Sequence, residues 1–373
     1  MASSLRARLP LLAAALAAVA LYYFFGAAAN FSLKARRVRE ARAAVRARRA
    51  VVAAAAGAEA PQPWSPPALD ANLAKCLRDN VPRWRAHLET EFGMRLGYLG
   101  GTFCNQCDRE WLESWSRICH EDATLCPKVV LDIGGNVGNY GAKFLEAFPA
   151  PTVVHSFELD PGTFGVLSAR RAAHPDRARW TLTNNGVAQE AGSKQFYSGG
   201  AGSGLSSLGP LDADNKLVLS QAQNITTVPA IMERLGLDFV DFAKIDVEGW
   251  EREVILGMLL DGAGAGSVGA FSFETGETWR DSRKGPSNLL LSELVDYLSG
   301  VPPYGYACFY IGREDFLPIS APALAPIDEV DQNYGLNVLC LRRDTRLHAA
   351  LLGAHRRKLD HCLAGQGLWG YLS

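Results

Sequence analysis

From residue 128 onward, short apolar runs alternate with amphipathic stretches, a rhythm that the first third of the chain lacks. "KVVLDIGG" is an apolar run of strand length that stops at two glycines, and "VGNYGAKFLEAF" then returns apolar residues at helical spacing. "TVVHSFELD" predicts a second strand, and the helix after it opens on Pro161, a residue suited to a first helical turn. "WTLTNNGVA" predicts a third strand, whereas "KQFYS" and the "GGAGSGLSSLG" loop read as a surface excursion. "TVPAIMERLG" is a helix that feeds a fourth strand, "VDFAKIDVEG". "EREVILGMLL" (helix), "AFSFETG" (fifth strand) and "SNLLLSELVDYLSG" (helix) continue the alternation. "GYACFYIG" and "GLNVLCLRRD" close it as two late strands, paired like a hairpin. Such alternation predicts an α/β fold with a largely parallel, doubly wound sheet.

The remainder divides differently. Residues 9–29 are uncharged and rich in Ala, Leu, Val, Tyr and Phe, and as a helix of about 30 Å they would span a bilayer. We expect a membrane anchor over 1–33, ranked above a cleaved signal and an organelle transit peptide. Residues 34–68 read as an Arg-rich helical stalk followed by a linker broken by Pro61, Pro63, Pro66 and Pro67. Residues 69–127 form a cysteine-containing extension, and 128–373 the catalytic domain.

The net charge of −1 hides an asymmetry. Residues 1–60 carry ten Lys and Arg against two Glu, which leaves 28 basic and 37 acidic residues for the rest. A mildly acidic globule on a basic arm argues against nucleic acid as a partner. The basic stalk argues for a cytoplasmic catalytic part by the positive-inside rule. Two sequons, at Asn30 and Asn224, and eight cysteines argue for the lumen. Cys104, Cys107, Cys119 and Cys126 cluster, with Cys76 before them and Cys308, Cys340 and Cys362 beyond. The spacing after "CNQC" fits a zinc site poorly, so disulfides in an oxidising compartment are the favoured reading and no metal is assigned. The expectation is therefore a type II protein of the Golgi or endoplasmic reticulum, with an organelle-targeted or cytoplasm-facing enzyme as the alternative.

Site chemistry begins at "LDIGGNVGNYG", where a glycine-rich strand-to-helix turn lets a ligand approach the backbone. Dinucleotide enzymes favour G-x-G-x-x-G there. This turn has Asp132, Gly134, Gly135, Asn136 and Gly138 instead, and a carboxylate beside the loop suits a cationic ligand without phosphates, such as S-adenosylmethionine. Glu158 ends the next strand, where an acid can accept both hydrogen bonds of a ribose diol. Asn184 and Asn185 follow the third strand, in reach of an adenine edge. The acidic tip "KIDVEGWE" brings Asp246, Glu248 and Glu251 together at the end of the fourth strand. Crowding of Asp246 with Glu248 would raise one pKa toward that of a general base, with Glu251 favouring the helix dipole and Lys244 pairing with an acid. Trp250, Trp279 and Tyr304 are candidates to stack on a sugar, and His155 reads as a core histidine.

In order and spacing, "LDIGGNVGNYG", "FELDP", "NNGVAQEAG", "KIDVEGWEREVILGM" and "FSFE" resemble the FkbM-type S-adenosylmethionine-dependent methyltransferase family over roughly residues 128–345. The resemblance implies a class I fold, a seven-stranded sheet with its last strand antiparallel. It implies O-methylation of a sugar, glycan or other small acceptor. It also implies cofactor contacts from Asp132, Gly134, Gly138 and Glu158, and an active-site mouth at Asp246 and Glu248. The family's fifth strand is expected to end in Glu with a nearby His, and here Glu274 is followed by Thr275 and Gly276, which leaves the base between Asp246, Glu248 and Glu274. A nucleotide-binding oxidoreductase and an inactive membrane-tethered binding protein are the alternatives.

Overall fold

Val129–Ile133 forms β1, the strand that neighbours β2 (Val153–Phe157) on one side and β9 (Val240–Ile245) on the other, parallel to both. The structure, a computed structural model, describes residues 107–204, 206–209, 218–260, 267–275, 291–300, 305–311, 316–320 and 336–355, all within one unit, Pro61–Ser373. The expected anchor, stalk and linker, Cys76, Cys104, Asn30, Trp279 and Tyr304 lie outside these residues. Among the described residues no helix is long and apolar enough to cross a membrane.

Val130, Leu131, Ile133, Phe242, Ala243 and Ile245 are all inaccessible to water, as expected for central strands covered on both faces. Helices α2 (Asn139–Ala147) and α3 (Pro161–Ala173) follow β1 and β2. Beyond β2 comes β3 (Trp180–Thr183), and beyond β9 comes β10 (Val268–Thr275), both parallel to their neighbours. β13 (Leu336–Arg342) then runs antiparallel between β10 and β11 (Tyr306–Ile311). These seven strands keep the expected single antiparallel member. An eighth, β12 (Phe316–Pro318), adds a short antiparallel edge beside β11. The chain leaves β1 toward β2 and later returns on its other side at β9, so the crevice between these two directions opens at the C-terminal strand ends.

Three segments depart from the predicted pattern. The third strand breaks at Asn184 and Asn185, and β4 (Gly186–Val187) joins β5 (Gly192–Lys194) and β8 (Gln223–Thr226) in a separate small sheet. β6 (Tyr197–Ser198) pairs with β7 (Val218–Leu219). In the N-terminal extension, α1 (Cys107–Glu121) belongs to the core: the Trp111 and Trp115 rings lie 5.2 and 5.6 Å from Phe242. Among the described residues there are two disulfides, Cys119–Cys126 at the end of α1 and Cys308–Cys340 between register partners on β11 and β13. The second pair is set by strand register, which spacing along the chain does not reveal. Helices α4 (Val228–Leu235), α5 (Glu251–Leu260), α6 (Leu291–Ser299) and α7 (Arg346–His355) complete the described elements.

Candidate active site

The turn after β1 is wedged between two strand ends. Gly134 and Gly135 donate to the Phe157 carbonyl at 2.9 Å each, and Asp246 N donates to the Ile133 carbonyl at 2.9 Å. Gly134 has φ 81°, and a Cβ there would fall 1.7 Å from the Asp246 carbonyl oxygen. At Gly138, φ 85°, a Cβ would come within 2.7 Å of Leu167 and 2.9 Å of Trp180. These two glycines therefore make room chiefly for protein neighbours.

Asp132 lies beneath that turn and is inaccessible to water. Its Oδ2 accepts from Ser156 Oγ at 2.7 Å, and Ser156 Oγ in turn accepts from Trp180 Nε1 at 2.8 Å. Burial pushes the Asp132 pKa up, while the Lys244 charge and the Ser156 hydroxyl pull it down. The expected direct contact between Asp132 and a ligand is corrected by this burial. The residue is a pillar under the turn.

Glu158, 7% exposed, faces the crevice at the end of β2. Its Oε2 accepts from Asn136 N and its Oε1 from Asp160 N, both at 2.8 Å. Burial raises its pKa to about 7 against those two bonds, with the Asp160 and Asp132 charges adding to the rise. Asn136 itself sits at φ 46°, held in the left-handed region by the tight turn. Asn184 turns away and donates to the Glu158 and Leu159 carbonyls at 2.7 and 3.1 Å.

At the end of β9, Lys244 Nζ pairs with Asp246 Oδ2 at 2.6 Å and lies 4.5 Å from the centre of the Tyr140 ring. Asp246 Oδ1 is buried and takes no hydrogen bond among the described residues; the same holds for Asn136 Oδ1. Glu248 adopts φ 55°, a strained conformation for a residue with a Cβ. Its flanking amides are gripped by Glu251, fully buried, which accepts from Val247 N at 3.0 Å and from Gly249 N at 3.1 Å. Burial pushes the Glu251 pKa up, so this carboxyl closes the turn as well as opening α5. From the other side Ser207 Oγ donates to the Glu248 carbonyl at 2.7 Å. Oxygens of Asp246, Glu248 and Glu274 lie within 4.8 Å of one another. That is close enough to share a proton or a cation, although Lys244 already neutralises one member.

An open cleft joins these parts, with about 570 Å³ of space between its walls when the adjoining open solvent is included. Asn136, Glu158 and Asn185 line it beside the end of β2 and Asp246, Val247 and Glu248 beside the end of β9, with Gly134 between them, bonded to Phe157 and packed on Asp246. Ser203, Gly204, Ser206 and Leu208 form a further wall. Of the predicted cofactor residues, Gly134, Asn136, Glu158, Asn185 and Asp246 thus line the cleft, while Asp132, Gly135 and Gly138 stand behind it. Of the predicted catalytic residues, Asp246 and Glu248 line it, and Glu274 joins their cluster from β10. The wall segment was read as a surface excursion; only a Gly- and Ser-rich loop after the third strand hinted at it. His155 binds Thr181 through Nδ1 at 2.5 Å, outside the cleft, and burial lowers its pKa. Trp250 also lies outside the cleft, with Lys194 Nζ 4.8 Å from its ring centre.

Residues 132–269 match the family model of the methyltransferase FkbM domain. None of the curated proteins matches the chain. Among solved structures, the methyltransferase FkbM from Methylobacillus flagellatus KT is similar at 15% identity, with a TM-score of 0.34, over 57% of this chain and 43% of that one. The O-methyltransferase from Bacillus cereus in complex with SAH is 10% identical, with a TM-score of 0.35, over 73% and 91% of the two chains. For the O-methyltransferase TomG from Streptomyces achromogenes, in complex with SAM, the values are 10% and 0.36, over 74% and 90%.

Proposed function

We propose that this protein is an S-adenosylmethionine-dependent methyltransferase that O-methylates a hydroxyl of a sugar, glycan or other small acceptor. The match of residues 132–269 to the methyltransferase FkbM domain supports the reading. The observation that carries it is the sign of the cleft. Among the described residues its lining holds three carboxylates, Glu158, Asp246 and Glu248, and no Lys, Arg or His. Asn136 Oδ1 adds a further acceptor, and it and Asp246 Oδ1 are buried without a hydrogen bond among the described residues. Such a lining fits a ligand that brings donors and positive charge, namely a ribose diol, an ammonium and a sulfonium. It fits the pyrophosphate of a dinucleotide badly.

When bound, S-adenosylmethionine supplies a methyl group whose leaving group is a neutral thioether. Glu158 binds the ribose diol through the lone pairs that Asn136 N and Asp160 N leave free. Asn136 Oδ1 accepts a donor at the same end. Asp246, Glu248 and Glu274 face the acceptor: one of them takes the hydroxyl proton as the new O–C bond forms and the C–S bond breaks. Lys244 keeps Asp246 Oδ2 occupied, which leaves Oδ1 as the oxygen that meets the proton.

We further propose a luminal catalytic part. The two disulfides and the solvent-exposed Asn224 on β8 support it. Loss of a glycosidase-sensitive mobility shift in Asn224→Gln is expected. An unshifted native protein with free thiols throughout would reverse the orientation. For the reaction, the test is transfer of isotope-labelled methyl from S-adenosylmethionine to pooled glycans. Label on glycan hydroxyls is expected, whereas label confined to amines or absent from every acceptor class would overturn the O-methylation reading.

A further inference from the structure

Asp160, 4% exposed, stands two residues beyond Glu158 at the start of α3 and has two separate sets of partners. Its Oδ1 caps the helix, accepting from Gly162 N at 2.8 Å and from Thr163 N at 3.4 Å. Its Oδ2 accepts from Ser206 Oγ at 3.0 Å, on the Gly/Ser wall of the cleft, and from Ser198 Oγ, on β6 at the base of that loop. Those hydroxyls also bind the wall's own backbone, Ser198 through Gly200 N and Ser206 through Gly199 N. Next to Asp160, Thr163 Oγ1 accepts from Gly202 N at 3.1 Å. Tyr197 and Ser207 close the base of the loop with a reciprocal pair of backbone bonds at 2.8 and 2.9 Å. Helix capping requires none of the serine contacts. A buried carboxylate with both oxygens engaged in this way ties the wall to the strand end that carries Glu158. There Gly204 meets Asn136, whose Nδ2 lies 3.6 Å from where a Cβ would stand.

We propose that Asp160 is a positioning residue for the cofactor: it clamps the Gly/Ser loop against the nucleoside end of the cleft and so makes the loop part of the binding site. The inference rests on the reading of the cleft as an S-adenosylmethionine site. Ser203, Gly204 and Ser206 then face the nucleoside across from Glu158, and the loop is ordered before the ligand arrives, which lowers the entropic cost of binding.

Substitutions can separate the cap from the clamp. Asp160→Ser keeps an N-cap oxygen but is too short to hold both serines. Asp160→Asn keeps the cap and the reach, since its amide can donate to both hydroxyl oxygens. Ser198→Ala/Ser206→Ala removes the clamp while leaving Asp160 and its cap untouched. With the full chain and S-adenosylhomocysteine as the calorimetric probe, Kd should rise about tenfold in Asp160→Ser and in the double variant, and stay within about threefold in Asp160→Asn. The double variant leaves the buried Asp160 Oδ2 without these donors, so its ligand-free melting temperature should fall by a few degrees with the fold retained. Should Asp160→Ser fail to fold, the double variant decides alone. Wild-type binding that the double variant retains within twofold overturns the clamp and leaves the methyltransferase reading standing. A wild-type protein that ignores the probe overturns both.

Discussion

The two ends of the cleft hold their carboxylates in opposite ways. At the β2 end, Glu158 receives a backbone N–H on each oxygen, and Asn184 braces the carbonyls beside it. At the β9 end, Asp246 leaves one buried oxygen without a partner among the described residues, Glu248 stands in a strained backbone conformation, and Glu274 crowds in from the next strand. The first arrangement is pre-organised for recognition. The second retains strain and an unpartnered acceptor, features that persist where the surroundings over-determine them and that cluster at reacting centres. Affinity and turnover should therefore respond to different residues.

The largest break in that division should come from Asp246→Asn. It should lower methyl transfer by about 100-fold or more, the scale of a lost general base, while calorimetry finds S-adenosylhomocysteine affinity within a few-fold of wild type. An equal loss in both quantities would erase the distinction between the ends. Next in size, Glu158→Ala should weaken the same ligand by about 2 kcal/mol, roughly 30-fold, through two lost diol hydrogen bonds.

A pH series sharpens the comparison. Glu158 has a pKa of about 7 in the folded protein and an ordinary value of 4.5. The diol donates to the ionised form, so affinity should climb as pH rises through 7, with binding at pH 6 roughly tenfold weaker than at pH 8. Stability of the ligand-free protein runs the other way. The folded state holds the proton more tightly, so this group's contribution is present below 4.5 and is lost as pH rises toward 7. Glu158→Gln should lose the pH dependence of binding. The smallest expected effect is that of Ser207→Ala. It frees the Glu248 carbonyl, and methyl transfer should fall by a factor of about three to ten with ligand affinity unchanged. A Ser207→Thr variant, which keeps the hydroxyl, should restore it.

Much of this was legible in the chain because the signals are local. Apolar runs ending in glycines or acids located β1, β2, β9 and β10, and the strand-end positions of Glu158, Asp246 and Glu248 follow from them. What was not legible depends on distant partners. Asp132 reads as a ligand contact only until Ser156 and Trp180, from two other strands, are seen to bury it. The Gly- and Ser-rich loop has the composition of a solvated excursion, and its role emerges from bonds to Asp160 and Glu248 that lie about 40 positions away in sequence. Cys308 and Cys340 become partners through strand register alone.

The central claim is that a cleft whose described lining holds carboxylates and no cationic side chain selects a cationic nucleoside over a dinucleotide. Calorimetric titration of the full chain with S-adenosylhomocysteine and, separately, with NAD tests it most directly. The account predicts a saturable heat with the first, abolished in Glu158→Ala, and none with the second. Saturable NAD binding with no response to S-adenosylhomocysteine would contradict it.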